Sequence, residues 1–474
     1  MNGSVGSINF YDDLNKYCEN TAVITEAEEQ ISYRELLKST DKLTAFIPER
    51  SLVFLVCKNS FESVAAYIGF LRKRIVPVLI NSGMDPAFFS TLLESYHPNY
   101  ICSPKDWMVD GDGLYCYGEY RLLRTGYNQN HELFPQLALL LTTSGSTGSP
   151  KLVRQSYLNI TSNANSIAQY LKITSKDRPI TTLPMNYTFG LSILNSHLLM
   201  GASIIMTEAT LMDKKFWYLL KTQKATTFSG VPYIYEILKK LRFARMDIPN
   251  IRYLTQAGGK LSKELSVEFA DICTQKGIEF IVMYGQTEAT ARMSYLPWEY
   301  AQAKAGSIGI AIPGGQFSLI DIDGNVIKDS GVMGELVYGG DNVTLGYAQN
   351  WKDLSKGDEN GGVLHTGDMA ERDSEGFYYI VGRKKRFLKL FGNRVNLDEV
   401  EGLLKSAGFD CVCAGVDDRL KIYISDENKK EEARTFISRK TGLNLAGFIS
   451  IPIKEIPRNE AGKVLYSKLE ELYG

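Results

Sequence analysis

The sequence predicts an α/β protein with a large N-terminal domain of doubly wound sheets, a small β-rich subdomain, and a small α+β C-terminal domain. Three observations predict this class. Buried strands alternate with amphipathic helices up to about residue 280, short glycine-rich strands follow from about residue 306, and a compact mixture of both begins near residue 384. The 474 residues suit two to four domain-sized units. We expect an N-terminal domain over 1–383, with its β-rich subdomain over about 306–383, and a C-terminal domain over 384–474.

Capping and hydrophobic spacing predict the first elements. Ser32 and Glu35 have the spacing of a capping box, and apolar residues with helical spacing follow, so a surface helix opens the fold. The apolar run 52–57 predicts a buried strand, 60–74 a helix with one apolar face, and 76–80 another strand. Together these three elements make a βαβ unit, which favours parallel strands.

The alternation continues to residue 280 and then changes. We expect helices after Ser156 and after Pro232, and strands at 202–206, 226–229 and 279–283. From about Gly306, frequent glycines and turns predict short strands. The last ninety or so residues predict an α+β unit with strands near 387–390, Val412, Ile422 and 449–453, and helices from Asn396 and over 431–437.

Composition disfavours several classes of function. With 53 Lys+Arg against 54 Asp+Glu, the net charge of -1 gives no overall attraction to nucleic acid or anionic lipid. The N-terminus lacks a basic stretch followed by an apolar one, and the most apolar long stretch, 192–206, falls short of the ~20 residues of a membrane span. Seven scattered cysteines favour reduced thiols. We expect a cytoplasmic protein with no nucleic-acid partner and no membrane partner.

A hydroxyl- and glycine-rich loop follows the apolar strand 137–141. It consists of Thr142, Thr143, Ser144, Gly145, Ser146, Thr147, Gly148, Ser149, Pro150 and Lys151. Such a segment is typical of a flexible linker, but its glycines also let backbone N–H groups approach an anion, and Lys151 adds charge. It lacks the spacing of a Walker A loop, and no GxGxxG sequence opens a helix. A P-loop NTPase and a dinucleotide-binding enzyme are therefore both disfavoured.

Further motifs follow the loop in a fixed order: Tyr-Gly-Gln-Thr-Glu at 284–288, His-Thr-Gly-Asp at 365–368, a segment from Gly-Arg to Gly-Asn-Arg at 382–394, and a Gly-Lys pair ending 457–463. In this order and at these separations they resemble the adenylate-forming superfamily of acyl-CoA synthetases, peptide-synthetase adenylation domains and luciferases. The resemblance covers nearly the whole chain, from the helix at Tyr33 to Lys463. It implies that a carboxylic acid is joined to the α-phosphate of ATP with release of pyrophosphate, and that the acyl group then passes to a thiol.

The resemblance also implies roles for individual residues. The loop with Lys151 would hold the β- and γ-phosphates, Thr287 would bond a phosphate oxygen, and Glu288 would hold Mg²⁺, which prefers oxygen ligands. Lys463 would bridge the carboxylate and the α-phosphate, so that Lys463, Thr287 and Glu288 form the catalytic set. The remaining ATP-binding residues would be Tyr284 at the adenine, Gly258 and Gly259 beside the adenine or acyl group, and Asp368 and Arg383 at the ribose. Gly285 would also bind ATP. Without the resemblance, Asp368 is equally typical of an Asx turn.

The acid pocket is expected from Tyr187, Gly190, Ser229, Gly230 and Gln286, and Tyr187 stands where acyl and aryl ligases of the superfamily often carry His. Enzymes of the superfamily that take α-amino acids usually place an Asp in this segment, because a buried ammonium must be paired. No acidic residue lies between Pro184 and Met206, so we expect an unaminated carboxylic acid.

By the same resemblance, Lys385 is the hinge of a mobile C-terminal domain, and Gly392 borders the pantetheine channel. The stretch from Cys411 to Ser425 is short for the superfamily, so CoA and the phosphopantetheine arm of an acyl carrier protein both stay open as the acceptor. Two alternative functions also remain. One is a stand-alone amino-acid-adenylating enzyme that loads a carrier protein, and the other is a non-catalytic nucleotide-binding regulator.

Overall fold

The computed structural model describes residues 9–127, 130–142, 150–391, 393–458 and 464–473. The chain divides into two compact units, each described here by itself. The first unit comprises 1–316 and 339–364, and the second comprises 317–338 and 365–474. The domain boundary expected between Arg383 and Lys384 lies inside the second unit and stays a prediction.

The bounds of the elements follow chain order. The strands are β1 Thr21–Ile24, β2 Gln30–Ser32, β3 Leu52–Cys57, β4 Val76–Asn81, β5 Tyr100–Pro104, β6 Asp112–Tyr117, β7 Tyr120–Arg124, β8 Leu137–Thr142, β9 Leu152–Ser156, β10 Ile204–Ile205, β11 Thr227–Gly230, β12 Tyr253–Gln256, β13 Glu279–Tyr284, β14 Ser294–Tyr295, β15 Ile310–Ala311, β16 Gln316–Ile320, β17 Gly334–Gly339, β18 Tyr347–Ala348, β19 Val363–Arg372, β20 Tyr378–Arg383, β21 Phe387–Leu390, β22 Asn393–Asn396, β23 Cys411–Val416, β24 Arg419–Ile424 and β25 Phe448–Pro452. The helices are α1 Tyr33–Thr44, α2 Phe61–Arg72, α3 Pro86–Tyr96, α4 Tyr157–Tyr170, α5 Thr188–Leu199, α6 Lys214–Thr222, α7 Pro232–Lys240, α8 Lys263–Lys276, α9 Leu397–Ser406, α10 Lys430–Thr441 and α11 Tyr466–Tyr473. None of the helices in these described ranges is long and apolar enough to cross a bilayer.

An eight-stranded sheet in the order β18-β9-β8-β4-β3-β5-β7-β6 forms the core of the first unit. As the sequence predicted, β3, α2 and β4 make a βαβ unit with parallel strands, in which Leu55 lies opposite Leu79. Leu55 faces one hydrophobic cluster and Phe54 the other, so both faces of the sheet are buried, as parallel sheets require. The predicted capping box is also present, because Ser32 and Glu35 bond each other's backbone N–H at the start of α1.

A second sheet, β11-β12-β13-β14-β15, completes the framework of the first unit. Its strands β11, β12 and β13 are parallel, so their carboxyl ends lie at one edge. This is the edge at which ligands bind in open α/β sheets. The strand expected over 202–206 is shorter than predicted, because only Ile204 and Ile205 pair, with β1.

The second unit contains three small sheets. A four-stranded sheet follows the order β16-β17-β19-β20, and β21 with β22 forms a two-stranded sheet. The third sheet, β23-β24-β25, shares a hydrophobic cluster with α9 and α10, which includes Leu404, Ile422 and Ile437. This arrangement agrees with the α+β pattern expected after residue 384.

Candidate active site

Three predicted site segments follow the carboxyl ends of adjacent parallel strands in the first unit. Ser229 and Gly230 end β11, Gly258 lies two residues after β12, and Tyr284 ends β13. Because β12 pairs with both β11 and β13, these segments meet at one edge of the sheet. Successive segments that are 26 to 29 residues apart in the sequence are thus brought to one place.

The turn after β13 places Thr287 beside α5. A Cβ on Gly285 would overlap the carbonyl oxygen of Ala291, so the close return of the chain requires glycine here. The hydroxyl oxygens of Thr287 and Thr188, the first residue of α5, are 3.2 Å apart. Gln286 donates to the Tyr284 hydroxyl at 3.2 Å. The predicted catalytic Thr287 is therefore held at the N-terminus of a helix, where anions are favoured.

Hydrogen bonds of Thr290 and Asn342 hold the same turn in place. Thr290 has a φ of +64°, which is rare for a β-branched residue. Its hydroxyl donates to the carbonyl of Asn342 at 2.7 Å. The Asn342 amide in turn donates to the carbonyls of Ala289 and Arg292 at 2.9 and 3.1 Å. Because all three bonds are buried, they fix the backbone that carries Thr287 and Glu288.

Glu288 and Lys151 share an aromatic partner. The Tyr347 hydroxyl donates to Oε1 of Glu288 at 2.6 Å, and the Lys151 ammonium lies 3.4 Å from the centroid of the Tyr347 ring. The Glu288 carbonyl accepts from both the backbone N–H and the hydroxyl of Thr344, each at 3.0 Å. Burial and the neighbouring Glu288 raise the pKa of Tyr347, so its hydroxyl stays a donor. The predicted Mg²⁺ carboxylate and the predicted phosphate lysine are therefore close together.

Arg154 holds the segment that carries Tyr347. This side chain on β9 is fully buried, and its Nε donates to the carbonyl of Tyr347 at 3.1 Å. Another guanidinium nitrogen donates to the carbonyl of Leu345 at 2.8 Å and pairs with Glu359 at 2.5 Å. A buried guanidinium is stable only when it is paired and hydrogen-bonded, so these bonds fix the chain from 345 to 359 against β9.

Tyr187 and two glycines form one wall next to α5. The Tyr187 hydroxyl would lie 2.6 Å from a Cβ on Gly258, whose φ of +81° also requires glycine. A Cβ on Gly190 would overlap the carbonyl of Pro184. Burial raises the pKa of Tyr187 to about 12, so the phenol is neutral near pH 7. Since Thr188 follows Tyr187 directly, a continuous series of contacts runs from Gly258 to Thr287, Glu288, Tyr347 and Lys151.

Ser229, Gly230 and Gly259 lie in tightly packed backbone. The Ser229 hydroxyl is buried and lies 2.6 Å from the hydroxyl of Thr255 on β12. A Cβ on Gly230 would come within 2.7 Å of Ile234, and one on Gly259 within 3.1 Å of Pro232. The small residues therefore allow α7 to begin close to the edge of the sheet.

In the second unit, the two residues expected at the ribose contact each other. Asp368 lies in β19 opposite Arg383 in β20, and its Oδ1 is 3.1 Å from the Arg383 Nε. The carboxyl is buried, whereas Arg383 is exposed. The backbone N–H of Asp368 donates to the Thr366 hydroxyl at 3.1 Å. The Asp368 side chain is therefore fixed by strand pairing and by an ion pair, and it lies in a strand rather than a turn.

Several predicted residues lie outside the described part of the chain. They are Thr143, Ser144, Gly145, Ser146, Thr147, Gly148, Gly392 and Lys463. Thr142 is described and pairs with Leu152 at the end of β8. The backbone of Lys385 lies in a short 3-10 turn, Lys384–Arg386.

Tyr347, Thr344 and Arg154 also belong to this site, although the sequence did not predict them. Tyr347 lies in a two-residue strand and Thr344 in the loop before it, and neither segment is long enough to show a periodic pattern. Arg154 did carry a signal, because a charged residue that directly follows the apolar pair Leu152 and Val153 in a buried strand must find partners.

The fold is shared with solved coenzyme A synthetases. The O-succinylbenzoate coenzyme A synthetase of Bacillus subtilis in complex with AMP matches with a TM-score of 0.79 at 22% identity, and the match covers 98% of each chain. The same synthetase in complex with ATP and magnesium ion matches with a TM-score of 0.75 at 21% identity, over 98% of this chain and 99% of that chain. The predicted fold class is confirmed.

The model of the AMP-binding enzyme family matches residues 10–348, and the chain belongs to this family. The 2-succinylbenzoate–CoA ligase of Bacillus cereus strain ATCC 14579 is 26% identical over 96% of each chain. A probable CoA ligase of Humulus lupulus is 23% identical over 95% of this chain and 93% of its own. The resemblance to the adenylate-forming superfamily is confirmed. The chain is an AMP-forming acid–thiol ligase of the acyl-CoA synthetase type, which uses ATP and Mg²⁺ to activate a carboxylic acid.

Proposed function

We propose that this ligase joins an unaminated carboxylic acid to CoA, with the residues of the two units in the roles given below. The observation that carries the proposal is the cluster of Lys151, Tyr347, Glu288 and Thr287, because it places a cation, a carboxylate and a hydroxyl beside the end of β8. These are the groups that a magnesium-bound triphosphate requires.

In the first half-reaction, a carboxylate oxygen of the acid attacks the α-phosphorus, the α–β phosphoanhydride bond breaks, and pyrophosphate leaves. Lys151 and the loop 142–148 bind the β- and γ-phosphates, and Thr287 donates to a phosphate oxygen. Glu288 holds Mg²⁺, which neutralises phosphate charge when bound. A single carboxylate suits this cation, since Mg²⁺ in such sites takes one or two carboxylates together with substrate phosphates and waters.

We assign the nucleoside to two sets of residues. Tyr284 offers an aromatic face to the adenine, and Gly285, Gly258 and Gly259 allow close approach of backbone. Asp368 accepts from the two ribose hydroxyls, since one carboxylate has enough lone pairs for both. Its ion pair with Arg383 supports this role, because the guanidinium orients the carboxylate.

The acid would bind beside Tyr187, with Gly190, Ser229, Gly230 and Gln286 around it. Two features support an unaminated acid. The segment from 184 to 206 lacks an acidic side chain, and the Tyr187 phenol is neutral, so nothing there pairs with an ammonium group. The relatives named as 2-succinylbenzoate–CoA ligases make that acid the first compound to test.

In the second half-reaction, the CoA sulfur attacks the acyl carbon, AMP leaves, and the thiol proton passes to solvent. We assign Gly392 to the pantetheine channel and Lys385 to the hinge of a mobile domain over 384–474, with the catalytic Lys463 in that domain. We favour CoA over a carrier protein because the curated relatives that span more than nine-tenths of the chain are named CoA ligases. We also propose a cytoplasmic enzyme without nucleic-acid or membrane partners, and its seven free cysteines support a reducing compartment.

The test is ATP–pyrophosphate exchange across a panel containing 2-succinylbenzoate, oxalate, short aliphatic acids, aromatic acids and amino acids, followed by thioester formation with CoA. We expect exchange with an unaminated acid and CoA-dependent turnover. Exchange with amino acids alone would favour the carrier-loading enzyme, and no exchange at all would favour the regulator.

Lys463→Ala tests the residue roles. A cation directed at developing charge accounts for a loss of about a hundredfold or more when it is removed. We expect that loss in adenylation, while acyl transfer from a supplied adenylate is retained. An equal loss in both half-reactions would contradict the role of Lys463.

A further inference from the structure

We propose that Tyr347 is a positioning residue that orients both the Mg²⁺-binding carboxylate and the phosphate-binding lysine. Its hydroxyl donates to Oε1 of Glu288 at 2.6 Å, and its ring lies 3.4 Å from the Lys151 ammonium. The ring thus gives the cation an aromatic face and the anion a hydroxyl donor. This inference rests on the roles proposed above for Glu288 and Lys151.

The fold, rather than the two charged partners, sets the position of the ring. Tyr347 is paired with Val153 of β9 in the eight-stranded sheet. Its carbonyl accepts from the Nε of Arg154 at 3.1 Å, and Arg154 is fully buried. Because the backbone of Tyr347 is fixed by strand pairing and by a buried guanidinium, its side chain can serve as a rigid support.

The hydrogen bond also orients the carboxylate that would hold the cation. Because Oε1 of Glu288 accepts from the Tyr347 hydroxyl, rotation of the carboxylate is restricted, and Mg²⁺ would meet it in one orientation. Thr344 holds the backbone of Glu288 through its carbonyl, whereas the Tyr347 hydroxyl bonds the carboxylate itself, so we assign the orientation of the carboxylate to Tyr347. Partners that orient a metal-binding carboxylate in this way commonly change metal affinity 10–100-fold when they are removed, roughly the range we expect.

The first test is Tyr347→Phe, which removes the hydroxyl and keeps the ring. Mn²⁺ binding is followed by electron paramagnetic resonance with α,β-methylene-ATP, which the enzyme cannot cleave. We expect Mn²⁺ affinity to fall about tenfold or more. In ATP–pyrophosphate exchange we expect a rise in the Mg²⁺ concentration needed for half-maximal rate, while most of the rate returns at saturating Mg²⁺. Tyr347→Leu, which also removes the ring, should raise the KM for ATP further.

Tyr96→Phe is the matched control. The Tyr96 hydroxyl lies 2.7 Å from the carbonyl of Pro150 and 2.8 Å from that of Ala348, which neighbour Lys151 and Tyr347 in the sequence. This variant therefore also loses a tyrosine hydroxyl from the same region, without removing a contact of Glu288. We expect its melting temperature to fall while its Mn²⁺ affinity matches that of the wild type.

The outcomes separate this inference from the proposed function. If the wild type binds Mn²⁺ and exchanges pyrophosphate but Tyr347→Phe has unchanged Mn²⁺ affinity, the positioning role is overturned and the function stands. A fall in affinity as large in Tyr96→Phe as in Tyr347→Phe also overturns it, since the effect would then be structural. If the wild type neither binds Mn²⁺ with the nucleotide nor exchanges pyrophosphate, both proposals are wrong.

Discussion

His197 makes the stability of the first unit depend on pH, and His197→Gln should remove that dependence. The imidazole is buried within α5, with Nδ1 2.8 Å from the carbonyl of Ile193 and Nε2 3.1 Å from the hydroxyl of Tyr253. Since a carbonyl only accepts, Nδ1 carries the hydrogen and Nε2 accepts from Tyr253. A second proton, on Nε2, would break the hydrogen bond that this nitrogen accepts from Tyr253, and burial lowers the pKa of His197 to about 4.

The magnitude follows from proton linkage. An unfolded histidine has a pKa of about 6.5, so between pH 6.5 and pH 4 the unfolded chain binds a proton that the folded chain excludes. Stability therefore falls on acidification through this interval and is unaffected by His197 above it. At about 1.4 kcal/mol for each pH unit, the loss is about 3 kcal/mol by pH 4.

The assay is urea unfolding of the full chain at a series of pH values from 7 to 4, with tryptophan fluorescence as the signal. We expect the free-energy difference between wild type and His197→Gln to shrink by about 3 kcal/mol over this range. His365→Gln is the control, because His365 is exposed and its replacement should leave the pH profile unchanged. A constant difference between wild type and His197→Gln at every pH would refute the reasoning.

Two further predictions concern the turn after β13 and the polar network of the second unit. In Gly285→Ala the added methyl overlaps a backbone carbonyl, so the rate of adenylation, measured by pyrophosphate exchange, should fall at least tenfold. Gly113→Ala is the control, because a Cβ there meets no neighbour, and this variant should behave as wild type. Glu401→Gln removes the charge that faces the largely buried Arg386 at 2.5 Å, and should destabilise the second unit by ~2 kcal/mol, read as faster hydrogen exchange in α9 and β23. Glu399→Gln, an exposed change on the same helix, should leave that exchange rate unaltered.

Local sequence signals predicted the elements that depend on near neighbours, and the residues that lie in short motifs. The capping box of Ser32 and Glu35 and the parallel β3–α2–β4 unit depend on near neighbours in the sequence, so spacing predicted both. Asp368 and Arg383 were assigned by resemblance to a shared role, and antiparallel pairing of β19 with β20 brings them together.

Contacts between distant segments could not be predicted from local spacing. Tyr347 meets Glu288 across 59 residues, and no local propensity encodes such a pair. The strand expected at 202–206 was too long because its apolar run is buried by packing rather than by strand pairing beyond Ile204 and Ile205. Tertiary context therefore decided the features that sequence spacing left open.

The buried guanidinium of Arg154 has a consequence for the order in which the chain folds. Its partners Leu345 and Glu359 lie 191 and 205 residues further along the chain. Until residue 359 has been synthesised, this charge either stays in water or is buried without its partner. Burial without a partner is costly. Closing so long a loop also carries an entropic cost before any contact is gained. During synthesis on the ribosome, the edge of the large sheet at β9 should therefore stay open until most of the first unit has emerged.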